Sequence, residues 1–162
     1  MARLEEISQY KYKILNKIID NEKIVKCLYF NKEEDTDFLD KQLPTDFNKL
    51  TLLYKNIFPY SFVPDIQTET ASFITLTFNN FKLVNGFFKS GNLIVNAFVH
   101  KSLIRTDYSF LRTDFLINQI DEIMNETRDL GIGKLQFSGM GEYPVNASFI
   151  GSWIKYENYD FN

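Results

Sequence analysis

The chain has 162 residues, a formal net charge of -3 and a single cysteine, Cys27. That length fits one domain able to bury roughly two-thirds of the surface its unfolded form exposes, so folding requires neither a metal nor a disulfide. One cysteine excludes an internal disulfide and a Cys/His zinc cluster, and eighteen Lys and Arg scattered without a basic block disfavour nucleic-acid binding through phosphates.

The opening MARLEEISQY is acidic where a secretion signal needs an apolar run. No stretch approaches the ~20 apolar residues of a membrane helix, so a soluble chain made in a host cytoplasm is expected. From Leu4, apolar residues at Leu4, Ile7, Ile14, Leu15, Ile18 and Ile19 recur at helical spacing. Asn21 then reads as the cap of a second short helix carrying Ile24, Val25 and Leu28. Residues 32–46, KEEDTDFLDKQLPTD, are acidic and contain a proline, which predicts an exposed loop. Asp46 is placed to cap a third short helix with Phe47, Leu50, Leu53 and Tyr54.

IFPYSFVPDI, residues 57–66, holds two prolines among aromatics and predicts a packed, stiff connection instead of a helix or central strand. The period then changes to two. Ile74, Leu76 and Phe78 alternate with Phe73, Thr75 and Thr77, and Leu93, Val95, Ala97 and Val99 with Ile94, Asn96, Phe98 and His100. Asn85-Gly86 and Ser90-Gly91 are turn dipeptides between them, so the pair reads as an extended hairpin with Phe87 and Phe88 at its tip. A strong amphipathic helix follows, from Ser109 or Thr113 to about Thr127, with Leu116, Ile117, Ile120, Ile123 and Met124 on one stripe and Gly131 as its C-terminal cap. A strand through Leu135 and Phe137, a loop with Gly139, Gly141 and Pro144, and a last strand near Trp153, Ile154 and Tyr156 complete the chain.

This order predicts an α+β fold, a mostly antiparallel β-sheet with helices packed on one face and a helical N-terminal third. The expected organisation is a single domain over 1–162, made of a helical part at 1–56 with the acidic loop 32–46, and a β-β-α-β-β core at 67–162. The aromatic share is 16%, with sixteen Phe and nine Tyr. Two readings stand: some of these rings are buried between subunits, or an A/T-rich coding sequence supplies them.

No residue pattern points to catalysis. His100 has no patterned partner, which favours a structural role. Glu33, Glu34, Asp35, Asp37 and Asp40 lack the glycine and terminal glutamate of a calcium loop, so a solvated acidic segment is expected. The glycines of DLGIGKLQFSGMG follow a helix and precede a strand, the reverse of a phosphate-binding loop, and read as a cap and turns. Arg112 and Asp114, at the first turn of the strong helix, suit a contact with a neighbouring subunit, while Asp114 also suits the helix N-terminus. No catalytic, metal or cofactor-binding residue and no cofactor are expected.

Together, the strand NLIVNAFVHK, the loop SLIRTDYSF, the helix RTDFLINQIDEIMN and the segment GIGKLQFSGMGEYPVNASFIGSWIKYENYD resemble the tail terminator and related head-to-tail connector proteins of tailed bacteriophages, over about residues 70 to 160. The resemblance implies a non-enzymatic virion protein of the neck, a homo-oligomeric ring with a hexamer favoured. Its partners would be the tail-tube protein and the head connector or adaptor proteins, with genome DNA passing through without specific binding. It also implies subunit contacts at Phe87, Phe88, Lys89 and Ser90. The helical N-terminal third departs from the simplest form of that pattern and keeps a different neck component, a head-completion or adaptor ring, as the alternative. A small phage enzyme using His100 and a regulatory binding module are the rivals from other classes.

Overall fold

A computed structural model describes residues 4–84, 87–126 and 135–158 of the chain. Helix α1, Leu4–Asp20, buries Ile14, Leu15, Ile18 and Ile19 and leaves Tyr12, Lys13, Asn16 and Lys17 exposed, as an i, i+3, i+4 stripe requires. The chain turns at Asn21, whose side-chain oxygen accepts the Ile24 N–H at 3.1 Å and opens α2, Glu22–Tyr29. The Asn21 amide donates to Gln119 at 3.2 Å, tying this corner to α3, Arg112–Glu126.

Residues 32–46 depart from the expected exposed loop. Glu33, Glu34 and residues 44–46 do face solvent, but Asp35 is buried, and Phe38 is fully buried at the start of a 3-10 turn, Phe38–Asp40. The physical reason is a buried cation beneath the segment, described below. Asp46 caps nothing; the next turn is a single 3-10 stretch, Lys49–Leu52, capped by Asn48, whose side chain accepts the Leu50 N–H at 3.0 Å.

The sheet has five strands in the order β1-β2-β3-β5-β4. They are β1, Ile57–Phe58; β2, Ser72–Val84; β3, Phe87–His100; β4, Leu135–Pro144; and β5, Phe149–Asn158. Only β1 runs parallel to its neighbour, with Ile57 opposite Ile74. A connection alone is expected over 57–66, yet Ile57 and Phe58 pair because both prolines come after them, Pro59 directly and Pro64 six residues past Phe58, and so do not obstruct the ladder. Ser90 and Gly91 also form no turn, since Ser90 pairs with Lys82 and Gly91 with Asn158 inside continuous β3. The Asn85-Gly86 turn and the Gly131 cap lie outside the described residues.

The fold is α+β, with the helices on one face of a mostly antiparallel sheet. Ile74 and Leu76 of β2, Leu93, Val95, Ala97 and Val99 of β3, and Ile154 and Tyr156 of β5 meet the buried stripes of α1, α2 and α3 in the main core. The α3 stripe is the expected one: Leu116, Ile117, Ile120, Ile123 and Met124 are all buried. The opposite sheet face carries a second, aromatic core of Phe58, Ala71, Phe73, Phe98 and Phe149, with Phe62 stacked on Phe58 at 4.3 Å. The connection at 59–70 therefore roofs one end of that face.

Gly139 and Gly141 do not form the expected loop. Both sit within β4, opposite β5, because their missing side chains make room for the Trp153 ring lying across them.

Candidate functional site

The most elaborate polar arrangement belongs to Arg112, the first residue of α3. The residue is 1% exposed. Its guanidinium donates to the carbonyls of Leu103 at 2.9 Å, Cys27 at 2.8 Å, Phe30 at 3.0 Å and Asp35 at 2.8 Å. Its planar face lies 4.4 Å from the centre of the Phe38 ring. Arg112 thus joins α2, the 32–46 segment and the entry to α3 within one chain, and offers no donor to a neighbouring copy. The expectation of a subunit contact there is corrected. A buried guanidinium needs a full set of acceptors, and only carbonyls released at the ends of short elements supply them in this number.

Asp35 completes this knot. Its carboxylate accepts the Lys32 N–H at 3.0 Å and bonds the Lys41 ammonium, while Lys41 also reaches Asp37 at 3.6 Å. Burial works to raise the Asp35 pKa, but the Lys41 bond, the backbone bond and the nearby Arg112 together hold it below its ordinary value. Asp40 accepts the Tyr108 hydroxyl at 3.0 Å. Cys27, beside Arg112, has its thiol pushed up to about 12 by burial, against the opposing charge of that arginine.

His100 caps the 3-10 turn Lys101–Leu103: its Nδ1 accepts the Ser102 N–H at 3.2 Å and lies 2.8 Å from the Ser102 hydroxyl. The ring stands edge-on to Phe149 at 5.1 Å. Among the described residues no three His, Cys, Asp or Glu side chains converge as metal ligands would, and no helix is long and apolar enough to cross a membrane.

Two surfaces remain that a chain of this kind must cover or use. The first is the end of the β2–β3 hairpin. Gly91 pairs with Asn158, the last described residue of β5, and from there β2 and β3 stay paired as the arm of the hairpin, with Lys82 opposite Ser90, Leu83 opposite Phe88 and Val84 opposite Phe87. An irregularity between Asn79 and Lys82, with Asn80 at φ 54, marks the root of the arm. Phe87, Phe88, Lys89 and Ser90 have their backbone here; their side chains lie outside the described residues.

The second surface is a groove of about 550 Å³ between α3 and the free edge strand β4. Leu39, Phe110, Phe115 and Ile154 form its apolar floor, and Phe137 and Met140 stand on its lip, 57% and 50% exposed. Asp114, the other predicted contact of α3, lines this groove and is half-buried. Asp121 lines it too, accepting the hydroxyl of fully buried Tyr156 at 2.6 Å. Burial first, and the Asp121 bond second, push the Tyr156 pKa upward, so this hydroxyl stays a donor. Nothing in the sequence flagged the groove, because it is assembled from α3, β4, β5 and the 32–46 segment; exposed Phe137 and Met140 on an edge strand were the available signal.

A smaller and more polar hollow of about 430 Å³ is lined by Tyr29, Phe47, Lys32, Lys55 and Asn56. On the far side of α1, Tyr12 and Tyr54 join hydroxyl to hydroxyl and Tyr60 stacks on Tyr54, all three about half exposed.

A search of curated proteins and of solved structures finds no match to this chain. The model of the YomW family matches residues 21–158, from the cap of α2 through β5. The chain belongs to the YomW family, a phage-derived family of Bacillus.

Proposed function

We propose that this chain is a structural component of a phage particle that assembles as a homo-oligomeric ring at the head-tail junction, in the position of the tail terminator. The observation that carries the reading is the groove between α3 and the edge strand β4, with Phe137 and Met140 exposed on its lip. Large apolar side chains grouped at the surface are costly to leave in water, and a neighbouring copy is the partner available to every copy in a ring. The phage origin of the family and the hairpin, helix, strand, strand order support the same reading. Arg112, His100 and the buried acid Asp35 all have structural bonds, which leaves association as the work of this surface.

In such a ring the tail-tube protein would meet one face and the head connector the other, with DNA passing through unread. The helical N-terminal third favours a second reading, a head-completion or adaptor ring. It is locked to α3 through Arg112 and Asn21 and enlarges the body beyond the hairpin-helix-sheet unit. Imaging of particle necks, with the chain located by a fused tag, tests both. Density at the top of the tail tube supports the terminator, density against the portal supports the adaptor, and absence from particles overturns the proposal.

A further inference from the structure

We infer that the tyrosine face of one copy, formed by Tyr12, Tyr54 and Tyr60, docks in the groove between α3 and β4 of the next copy. The inference rests on the ring reading and names the surfaces that build it.

The groove exists because the helix layer ends early. Phe137 lies opposite Tyr156 and Met140 opposite Ile154, so both stand on the sheet face that the helices cover. Helix α3 packs on β3 and β5, and the matching side of β4 stays open, which leaves Phe137 and Met140 in water. Asp114 lines the opening and has no bonded partner among the described residues. The occupant must therefore bring apolar surface and a hydrogen-bond donor together, and a tyrosine ring with its hydroxyl carries both.

The tyrosine face supplies them. Tyr54 and Tyr60 flank β1 and stack at 6.5 Å, and the hydroxyls of Tyr12 and Tyr54 bond to each other. All three rings are about half exposed. Tyr54 stands at φ 62, a left-handed conformation unfavourable for a residue with a bulky side chain, and its N–H donates to the Ile57 carbonyl at 2.9 Å. Strain of this kind persists where the surroundings fix it and clusters at functional sites. Rings already held against one another lose little freedom on docking, which favours association.

Position and charge select a second copy as the occupant. The tyrosines gather at the β1 edge of the sheet and the groove at the β4 edge, about 19 Å away at ~4.8 Å per strand gap, so a copy cannot fill its own groove. Two different surfaces on opposite edges are what a heterologous contact in a ring requires. The Lys11 ammonium donates to the Pro59 carbonyl at 3.2 Å, beside Tyr60, and Lys55 follows Tyr54, whereas the groove presents Asp114 and Asp121 against Lys23. A shared β-ladder is the less suitable joint. β1 pairs over two residues only, and β4 is irregular between Phe137 and Gly139 and ends in Pro144.

The test uses two full-length variants, Tyr60→Glu in the tyrosine face and Met140→Glu in the groove, each checked for native circular dichroism. Sedimentation velocity should show each variant alone associating about 30-fold or more weakly than wild type, the effect of removing a contact hot spot. An equimolar mixture should stop at dimers, because one intact tyrosine face meets one intact groove and no second joint can form. A second measurement covers misfolding: in a Tyr60→Cys/Met140→Cys chain, a short bis-maleimide should give a ladder of covalent oligomers ending at the ring size, since thiols at opposite edges of one copy are too far apart to be joined within it. Wild-type association by both Glu variants, or a double-cysteine chain that assembles yet keeps single-chain mass after cross-linking, overturns the contact and leaves the ring reading standing. A monomeric wild type removes both.

Discussion

The guanidinium of Arg112 lies 4.4 Å from the centre of the Phe38 ring and, in the same pose, satisfies four carbonyls from three separate stretches of chain. Replacing it by Met leaves those acceptors buried without a donor, each a penalty of about 1–3 kcal/mol and not additive. Arg112→Met should therefore lose about 3–5 kcal/mol of unfolding free energy in denaturant titration. Arg112→Lys keeps the charge but not the planar fork, and should fall between Met and wild type. A variant within ~0.5 kcal/mol of wild type would show that the knot is dispensable.

Asp35 predicts an acid limb. Its folded pKa lies below the ordinary 3.8, so the unfolded chain binds more protons in that range. The stabilisation is complete above about pH 5 and is lost as pH falls through 3.8 toward the folded value. Asp35→Asn should be less stable than wild type at neutral pH and should show a flatter decline below pH 4. Parallel curves for the two proteins across that window would contradict the assignment.

Cys27 should be chemically silent in the folded chain. Its thiol titrates near 12 and is fully buried, so almost no thiolate exists at pH 8 and no reagent reaches it. An aromatic disulfide reagent should label it only in denaturant. Rapid stoichiometric labelling of native protein would mean that the α2–α3 contact opens freely.

The two glycines of β4 should differ. A methyl at Gly141 would meet the Trp153 indole nitrogen at 2.7 Å, whereas one at Gly139 would rest at an ordinary 3.5 Å from the same ring. Gly141→Ala is expected to lower stability by about 1–3 kcal/mol, and Gly139→Ala to change it little. Equal melting temperatures for the two variants would place the indole elsewhere.

Local patterns in the chain foretold what is local in the fold. Asn21 caps α2 as its spacing implied, the α3 stripe is buried, and the alternation of Ile74, Leu76, Leu93 and Val95 put the right faces inward. What escaped depends on distant pairs. Arg112 reads as a surface helix-start charge until Cys27, Phe30 and Asp35 are brought beneath it, and a two-residue strand such as β1 has no pattern apart from its partner Ile74. The charge of residues 32–46 concealed Phe38, which is fully buried and, with Leu39 and Leu43 packed beside it on the core, anchors the segment. The groove likewise emerges only when α3 and β4 lie side by side.

The mass of the purified full-length chain in solution, measured by light scattering across a dilution series, bears most directly on the claim that copies of this chain complete one another. A discrete multiple of 19.1 kDa, with a hexamer favoured, is the predicted result. A constant 19.1 kDa at every concentration would contradict it.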